Sequence, residues 1–430
     1  MVGDGAEAQA AVVVGESALT RFANSFIHQN MADATRAVTV KVAVEGRVAK
    51  GTDNRVDDAA LTALVERTLE AARLAPVDPE WPGLAPPAAL PEVDNFDPDT
   101  AAASPEQRAR VVADFVAAAD GTDAAGYCDT ESVVMGFANS LGHHATGRRT
   151  RATVDGIHRV GTVAGSGHQT SVRIGGLDGT AAGAIAAERF HMAAEPYDIK
   201  PGEYEVVLSP ECVATIAIFL GFYGFNGKAM NEGQSFVEIG DRQFDPSVDI
   251  WDDPGLPGSL GLAFDADGTP KRRLDLVQGG VSMATAHDRR TGARAGVEST
   301  GHAVPGGEAW GAIPTDIVVG GGKVPEAEMI AAVDRGLYLA TFNYCRVLDP
   351  KTLVVTGLTR NGTFMIENGS ITGAVTNMRF TQSFVEALGE GRILDLGGKV
   401  RYADSEFGPG IVRAPAMRLA GWNFTGGAEG

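Results

Sequence analysis

The chain has 430 residues, two to three times the usual domain size, so at least two domains are expected. Its 44% hydrophobic and 21% charged residues supply sizeable cores and argue against global disorder, while 55 glycines argue against an all-helical bundle. A net charge of −19, with basic runs no longer than Arg148-Arg149-Thr150-Arg151, argues against nucleic-acid binding, and three scattered cysteines exclude a disulfide framework and suit a reducing cytoplasm.

In chain order, no Lys or Arg precedes Arg21, so the basic start of a secretory signal is lacking. Val12 to Val14 reads as the core of a first strand, and Leu19 to His28 as a second extended stretch. Val38 to Val44 alternates Val38, Val40, Val42 and Val44 with Thr39, Lys41 and Ala43, the pattern of a half-buried strand. Asp57 opens a helix with Leu61, Leu64, Val65, Leu69 and Ala72 on one face. Seven of the 21 prolines fall between Pro76 and Pro98, an extended connector. Ser104-Pro105-Glu106-Gln107 restarts helix with an N-cap, a proline at the first helical position and a capping-box glutamine. Two or three strands are expected between Gly126 and Ile174, with a turn at Asn139-Ser140-Leu141-Gly142, then a helix over Ala181 to Ala194 and a hinge at Pro196 to Gly202.

Beyond the hinge, Tyr204 to Leu208 reads as a strand, and Ser209-Pro210 caps the segment Cys212 to Gly227. That segment is the longest free of charge and histidine; at sixteen residues it is too short to span a membrane and is expected to be a buried helix. Leu260 to Phe264 and Arg273 to Val277 flank the turn Asp265-Ala266-Asp267-Gly268-Thr269 as a hairpin, and Asn368-Gly369 joins Thr363 to Ile366 with Ile371 to Val375 as another. Pro325 to Phe342 reads as a helix with Met329, Ile330, Val333 and Leu337 together. The expected fold is α/β in the α+β sense: an N-terminal α/β part (1–75), a proline-rich connector (76–98), a central α/β part (99–195) and a β-rich C-terminal domain with a few helices (196–430).

No chemistry is legible from spacing alone. None of the eight histidines sits in H-E-x-x-H. His143-His144 reads as surface or turn histidines, since neighbours on a strand face opposite ways. Glu188-x-x-His191 has no second copy, as a di-metal site needs, and reads as a helix face. Counting twelve positions from Asp265 reaches Leu276, not the glutamate of a calcium loop. Gly320-Gly321-Gly322-Lys323 lacks the spacing of a phosphate loop, and Gly165-Ser166-Gly167 reads as a flexible turn.

Several strings, in order, do resemble one family. They are Ser17 to Asn30, Ala138-Asn-Ser-Leu-Gly142, Pro201 to Pro210, Leu256 to Pro270, Ser299-Thr-Gly-His302, Gly362 to Gly369 and Met378-Arg-Phe380. Together they are similar to the TldD/TldE (PmbA) proteins, also labelled modulator of DNA gyrase and classed with metallopeptidases. The catalytic TldD type has an H-E-x-x-x-H helix after the Val-Val-Leu strand and a cysteine ligand near the C-terminus. That register puts Ile218, Phe219 and Tyr223 where the histidines and glutamate would stand, and no histidine lies between His191 and His287. The last cysteine is Cys345, so the C-terminal ligand also lacks a counterpart.

The resemblance therefore implies the metal-free TldE (PmbA) type: a cytoplasmic subunit with no cofactor of its own, inactive alone, paired with a zinc-bearing TldD-type peptidase that acts on short unfolded peptides. It implies a homodimer when the partner is missing, and no nucleic-acid or membrane contact. Gly301-His302 and Arg379 are the candidates for a peptide channel. Two alternatives stand beside it: an autonomous hydrolase with a rearranged site using His143, His144 or His302, and a peptide-binding homodimeric scaffold without chemistry.

Overall fold

A computed structural model describes residues 5–427, and its fold is α+β. The N-terminal half begins with β1 (Ala6–Ala23), β2 (Phe26–Val44) and β3 (Arg47–Asp53), followed by α1 (Asp58–Leu74). After the irregular proline-rich stretch come α2 (Pro98–Ala101), α3 (Pro105–Val116), β4 (Asp123–Asn139), β5 (His144–Val160), β6 (Val163–Ser171) and α4 (Gly179–Met192). The strands form one sheet in the order β3-β2-β1-β4-β5-β6, so residues on both sides of the connector share a single sheet.

Leu19 to His28 is not one stretch. Asn24 and Ser25 take φ of 50° and 62° and turn β1 into β2, the paired left-handed conformation of a tight hairpin. Ser25 is fixed there because its hydroxyl donates to Thr122 O and accepts from Ala124 N. The helices cover one face of the sheet at its two ends. Val38, Val40 and Val42 pack on Leu64 and Ala72 of α1, and Phe22, Cys128 and Val154 pack on α3 and α4. The Ser104–Gln107 capping box forms as the sequence predicts. Gly165-Ser166-Gly167 is strand rather than flexible turn. A Cβ on Gly167 would lie 2.0 Å from Ala182 O, so glycine lets α4 lie directly on β6.

The C-terminal half runs through β7 (Gly202–Leu208), α5 (Pro210–Phe219), α6 (Gly227–Asn231), β8 (Ile250–Asp252), β9 (Leu274–Gln278) and β10 (Val281–Ser282). Next are α7 (Arg289–Ala295), α8 (Gly307–Trp310), β11 (Ile317–Val319), α9 (Glu326–Ala331), β12 (Arg335–Asp349), β13 (Val354–Glu367) and β14 (Ser370–Ala374). The chain continues with β15 (Met378–Ser383), α10 (Phe384–Ala387), β16 (Ile393–Leu396), β17 (Arg401–Ser405), β18 (Gly408–Ala414) and β19 (Met417–Gly427). One sheet has the order β10-β9-β8-β11-β18-β17. The other runs β12-β7-β19-β15-β13-β14 and closes on itself through a β12–β13 pairing, with β16 on β19. The main core lies between them and contains all of the apolar face of α5.

Two expectations are corrected here. The helix expected from Pro325 to Phe342 stops at Ala331, because Leu337 to Leu339 pair with β7 on one side and β13 on the other. Leu337 faces the main core, whereas Met329 and Val333 belong to a separate cluster with Tyr338 and Phe364. The Asp265 hairpin reduces to one bridge between Phe264 and Pro270, and only Leu274 to Gln278 is strand, paired with β8 and β10. Asp265 accounts for the tight turn: its carboxylate accepts from Asp267 N, Thr269 N and Ala303 N. The Asn368-Gly369 hairpin is present, with φ of 50° and 76°.

Candidate functional site

Helix α5 is the element on which the family resemblance turns, and its setting is apolar. Ser209 caps it by accepting from Cys212 N, Pro210 occupies its first turn, and every residue from Pro210 to Phe219 is buried. The last turn widens into a π-helical segment, Leu220–Gly224. A Cβ on Gly224 would lie 2.1 Å from the Phe236 ring, so this glycine sets how closely the segment packs.

Ile218 and Phe219 are both buried, and Tyr223 is half-buried. The Phe219 ring lies 5.7 Å from Tyr223, 5.8 Å from Phe384 and 5.4 Å from Phe407 between centroids. Phe222 extends the group, 5.9 Å from both Phe407 and Trp310. Trp310 is 63% exposed and Phe407 51%, so the cluster surfaces as an aromatic ledge. Beside it, Tyr344 holds a left-handed backbone (φ 55°) at a break in the β12–β13 register. Arg346 lies 4.2 Å from the Tyr344 ring and 3.8 Å from Glu406, whose carboxylate accepts from Cys345 N. Burial raises the pKa of Glu406. Apolar rings, one guanidinium and one carboxyl can grip an extended chain by stacking and by charge, but they form no nucleophile–base pair. The aromatic spacing Phe219-x-x-Phe222-Tyr223 is the sequence signal that could have found this ledge.

The other candidate residues lie apart from it. His302 is not on an open wall: its side chain is fully buried, with Nε2 3.2 Å from Asp252 and Nδ1 2.8 Å from the Thr300 hydroxyl. Arg379 is exposed on β15, in register with Leu358 and Gly426. His143 is buried rather than at the surface, donating from Nε2 to Gly268 O at 2.7 Å, while His144 is exposed. Glu188 and His191 lie exposed on α4, as the helix-face reading expects. Between α4 and the C-terminal half is a cavity of about 310 Å³ lined by Arg189, Glu326, Tyr338, Arg401, Met192 and Ile330. Tyr338 donates to Glu326 there, and Arg189 donates to Tyr338.

Ile218 and Phe219 offer no donor atom to a metal ion. Among the described residues, one group of His, Cys, Asp or Glu side chains is placed to hold one: Asp155, His168 and Asp404. No described helix is long and apolar enough to cross a membrane.

Residues 201–426, just over half of the chain, match the PmbA/TldA metallopeptidase C-terminal domain. A search of curated proteins gives no match. Among solved structures, TldE from Thermococcus kodakarensis aligns with a TM-score of 0.89 at 17% identity, over 99% of this chain and 97% of that one. A Thermotoga maritima protein described as a candidate modulator of DNA gyrase aligns with a TM-score of 0.86 at 17% identity, over 98% and 96% of the two chains. A Bacteroides thetaiotaomicron protein with the same description gives 0.84 at 17% identity, over 98% and 94%. At that identity the likeness is one of fold.

Proposed function

The chain belongs to the PmbA/TldD metallopeptidase family, and from that premise we propose that it is a subunit without a catalytic metal, which works with a zinc-bearing TldD-type relative on short unfolded peptides. The observation that carries this reading is the packing at Ile218 and Phe219. Zinc takes nitrogen, sulfur or oxygen ligands at about 2.0–2.3 Å, and these positions hold buried hydrocarbon enclosed by Tyr223, Phe384 and Phe407. Side-chain packing completes the end of α5 in the way a metal would complete it in a catalytic relative. The ledge of Trp310, Phe222 and Phe407, with Arg346 beside it, is the surface through which this subunit contributes to peptide binding.

On this reading the chain has no zinc at α5, cleaves nothing alone and is a homodimer when the relative is absent. A related pair arises from a twofold self-contact, and a stable contact buries roughly 1,200–2,000 Å². The test is light scattering and cleavage of short unstructured peptides by each chain alone and by the mixture. We expect cleavage to need the mixture and to spare folded proteins. A monomer indifferent to the relative, or chelator-sensitive cleavage by this chain alone, overturns the proposal.

A further inference from the structure

The seam between the two halves is polar, and it carries half of the buried side-chain atoms that lack a hydrogen-bond partner among the described residues. Asp129 Oδ1, Arg151 Nε, Ser166 Oγ, Glu211 Oε2 and Asp404 Oδ1 all lie there, five of the ten among the described residues. Buried polar atoms are nearly always satisfied, so such a concentration marks a missing partner.

We propose that Asp155, His168 and Asp404 bind a divalent transition-metal ion that ties the N-terminal sheet to the C-terminal half. Asp155 on β5 and His168 on β6 stand directly opposite each other in register, so their side chains share a face. Asp404 reaches them from β17, and the three donor atoms lie within 4.8 Å of one another. One imidazole nitrogen and two carboxylate oxygens suit zinc or manganese, with metal–ligand distances of about 2.0–2.2 Å for zinc.

The histidine is held as a ligand. It is 5% exposed; its Nε2 lies 2.9 Å from the Thr170 hydroxyl, while Nδ1 points to Asp155 at 3.2 Å. Thr170 is in turn 3.0 Å from the Thr153 hydroxyl. A second ring nitrogen anchored in this way fixes the orientation and tautomer of a metal-binding imidazole. On binding, the ion takes the Nδ1 lone pair of the neutral ring, and the ring's single proton resides on Nε2, which donates to the Thr170 hydroxyl.

No cationic side chain already does this work. Arg151 is engaged by Asp129 at 3.0 Å and Arg401 by Glu211 at 2.7 Å, and Arg189 stands 3.6 Å from Glu211. Among the described residues only His168 pairs with Asp155, and no ion pair includes Asp404. Burial pushes the Asp404 carboxyl up to about 6; His168 opposes this, and Asp155 and Glu211 add to it. The site is separate from Ile218 and Phe219, and the proposal does not depend on the subunit reading.

The experiment strips the full-length protein with chelator and titrates it with zinc and, separately, manganese and magnesium, following heat release and thermal melting. One zinc or manganese ion per chain, a raised Tm and tighter binding than magnesium are expected. Asp404→Asn keeps side-chain volume and His168→Gln keeps a polar group; each should weaken binding about tenfold or more, and Thr170→Val about tenfold. His191→Gln, on the exposed face of α4, should change nothing. Failure of the parent to bind zinc or manganese, or binding that survives Asp404→Asn, overturns the proposal, and Asp404→Asn decides the matter even if His168→Gln fails to fold. Zinc that survives Asp404→Asn but is lost in Tyr223→Phe would place the ion at α5 and overturn the subunit reading as well.

Discussion

Two interior clusters of this molecule each combine one histidine with two aspartates, and they balance charge differently. In the first, Lys271 lies 3.1 Å from Asp252 and 2.6 Å from Asp316, with His302 against Asp252. Asp252 Oδ2 accepts from Thr315 N and Asp316 N, and Asp316 accepts from the Ser259 hydroxyl, while Asp252 Oδ1 meets Lys271 and His302 through charge alone. Burial alone would raise the pKa of Asp252, yet Lys271 and His302 hold it far below the usual carboxylate range. In the second, Asp155, His168 and Asp404 have no lysine, and among the described residues no ion pair reaches Asp404. The contrast teaches that burial does not by itself decide a carboxylate's state. What decides it is whether the chain supplies the counter-charge or leaves that to something from solution.

The largest expected effect comes from removing the built-in cation. Lys271→Met leaves Asp252 and Asp316 buried without their ammonium and should cost about 3–5 kcal/mol in denaturant unfolding. A variant that unfolds like its parent would break the comparison at its first term.

A smaller effect of opposite sign is expected at the seam. The Asp404 carboxyl is raised in the folded protein to about 6 from 3.8, so the folded state holds its proton more tightly. The stability that this group contributes is complete below about pH 4 and is lost as pH rises through about 6. In metal-free protein, Asp404→Asn should match the parent near the lower limit and exceed it by about 1–2 kcal/mol at neutral pH. Melting curves across that range check this, and parallel curves for the two proteins would remove the carboxylate from the account. The smallest effect is expected from Thr170→Val, about 1 kcal/mol in metal-free protein from losing a hydroxyl partner of His168. If zinc raises the Tm of this variant as much as that of the parent, Thr170 does not orient the ring.

Sequence reasoning succeeded where the cause of structure is local. Ser104 to Gln107 carries its own cap, Asn368-Gly369 its own turn, and the apolar run Cys212 to Gly227 is buried apart from Phe222 and Tyr223. It failed where distant segments decide. Leu337 to Phe342 continues a helical pattern until β7 and β13 claim it as strand. The turn at Asn24-Ser25 is hidden because its anchors, Thr122 and Ala124, lie about a hundred residues away. His168 and Asp404 are separated by more than half the chain, so no spacing rule joins them, and the sealed surroundings of His302 depend on Asp252 at the end of β8. The family strings pointed to α5 but not to the ledge beyond it, because Trp310 comes from α8 and Phe407 from the turn between β17 and β18.

The closed ring of strands in the C-terminal half has one further consequence, for the order of synthesis. β19 lies between β7 and β15, so residues 417–427 separate two strands made well before them. A chain emerging from the ribosome cannot close that ring until those residues are free. Until then, β7 and β15 each show an open edge of the kind that invites wrong pairing. The N-terminal sheet has no such wait: all six of its strands are finished by Ser171, more than two hundred residues earlier. One half of this protein can therefore fold during translation while the other must wait for its last strand.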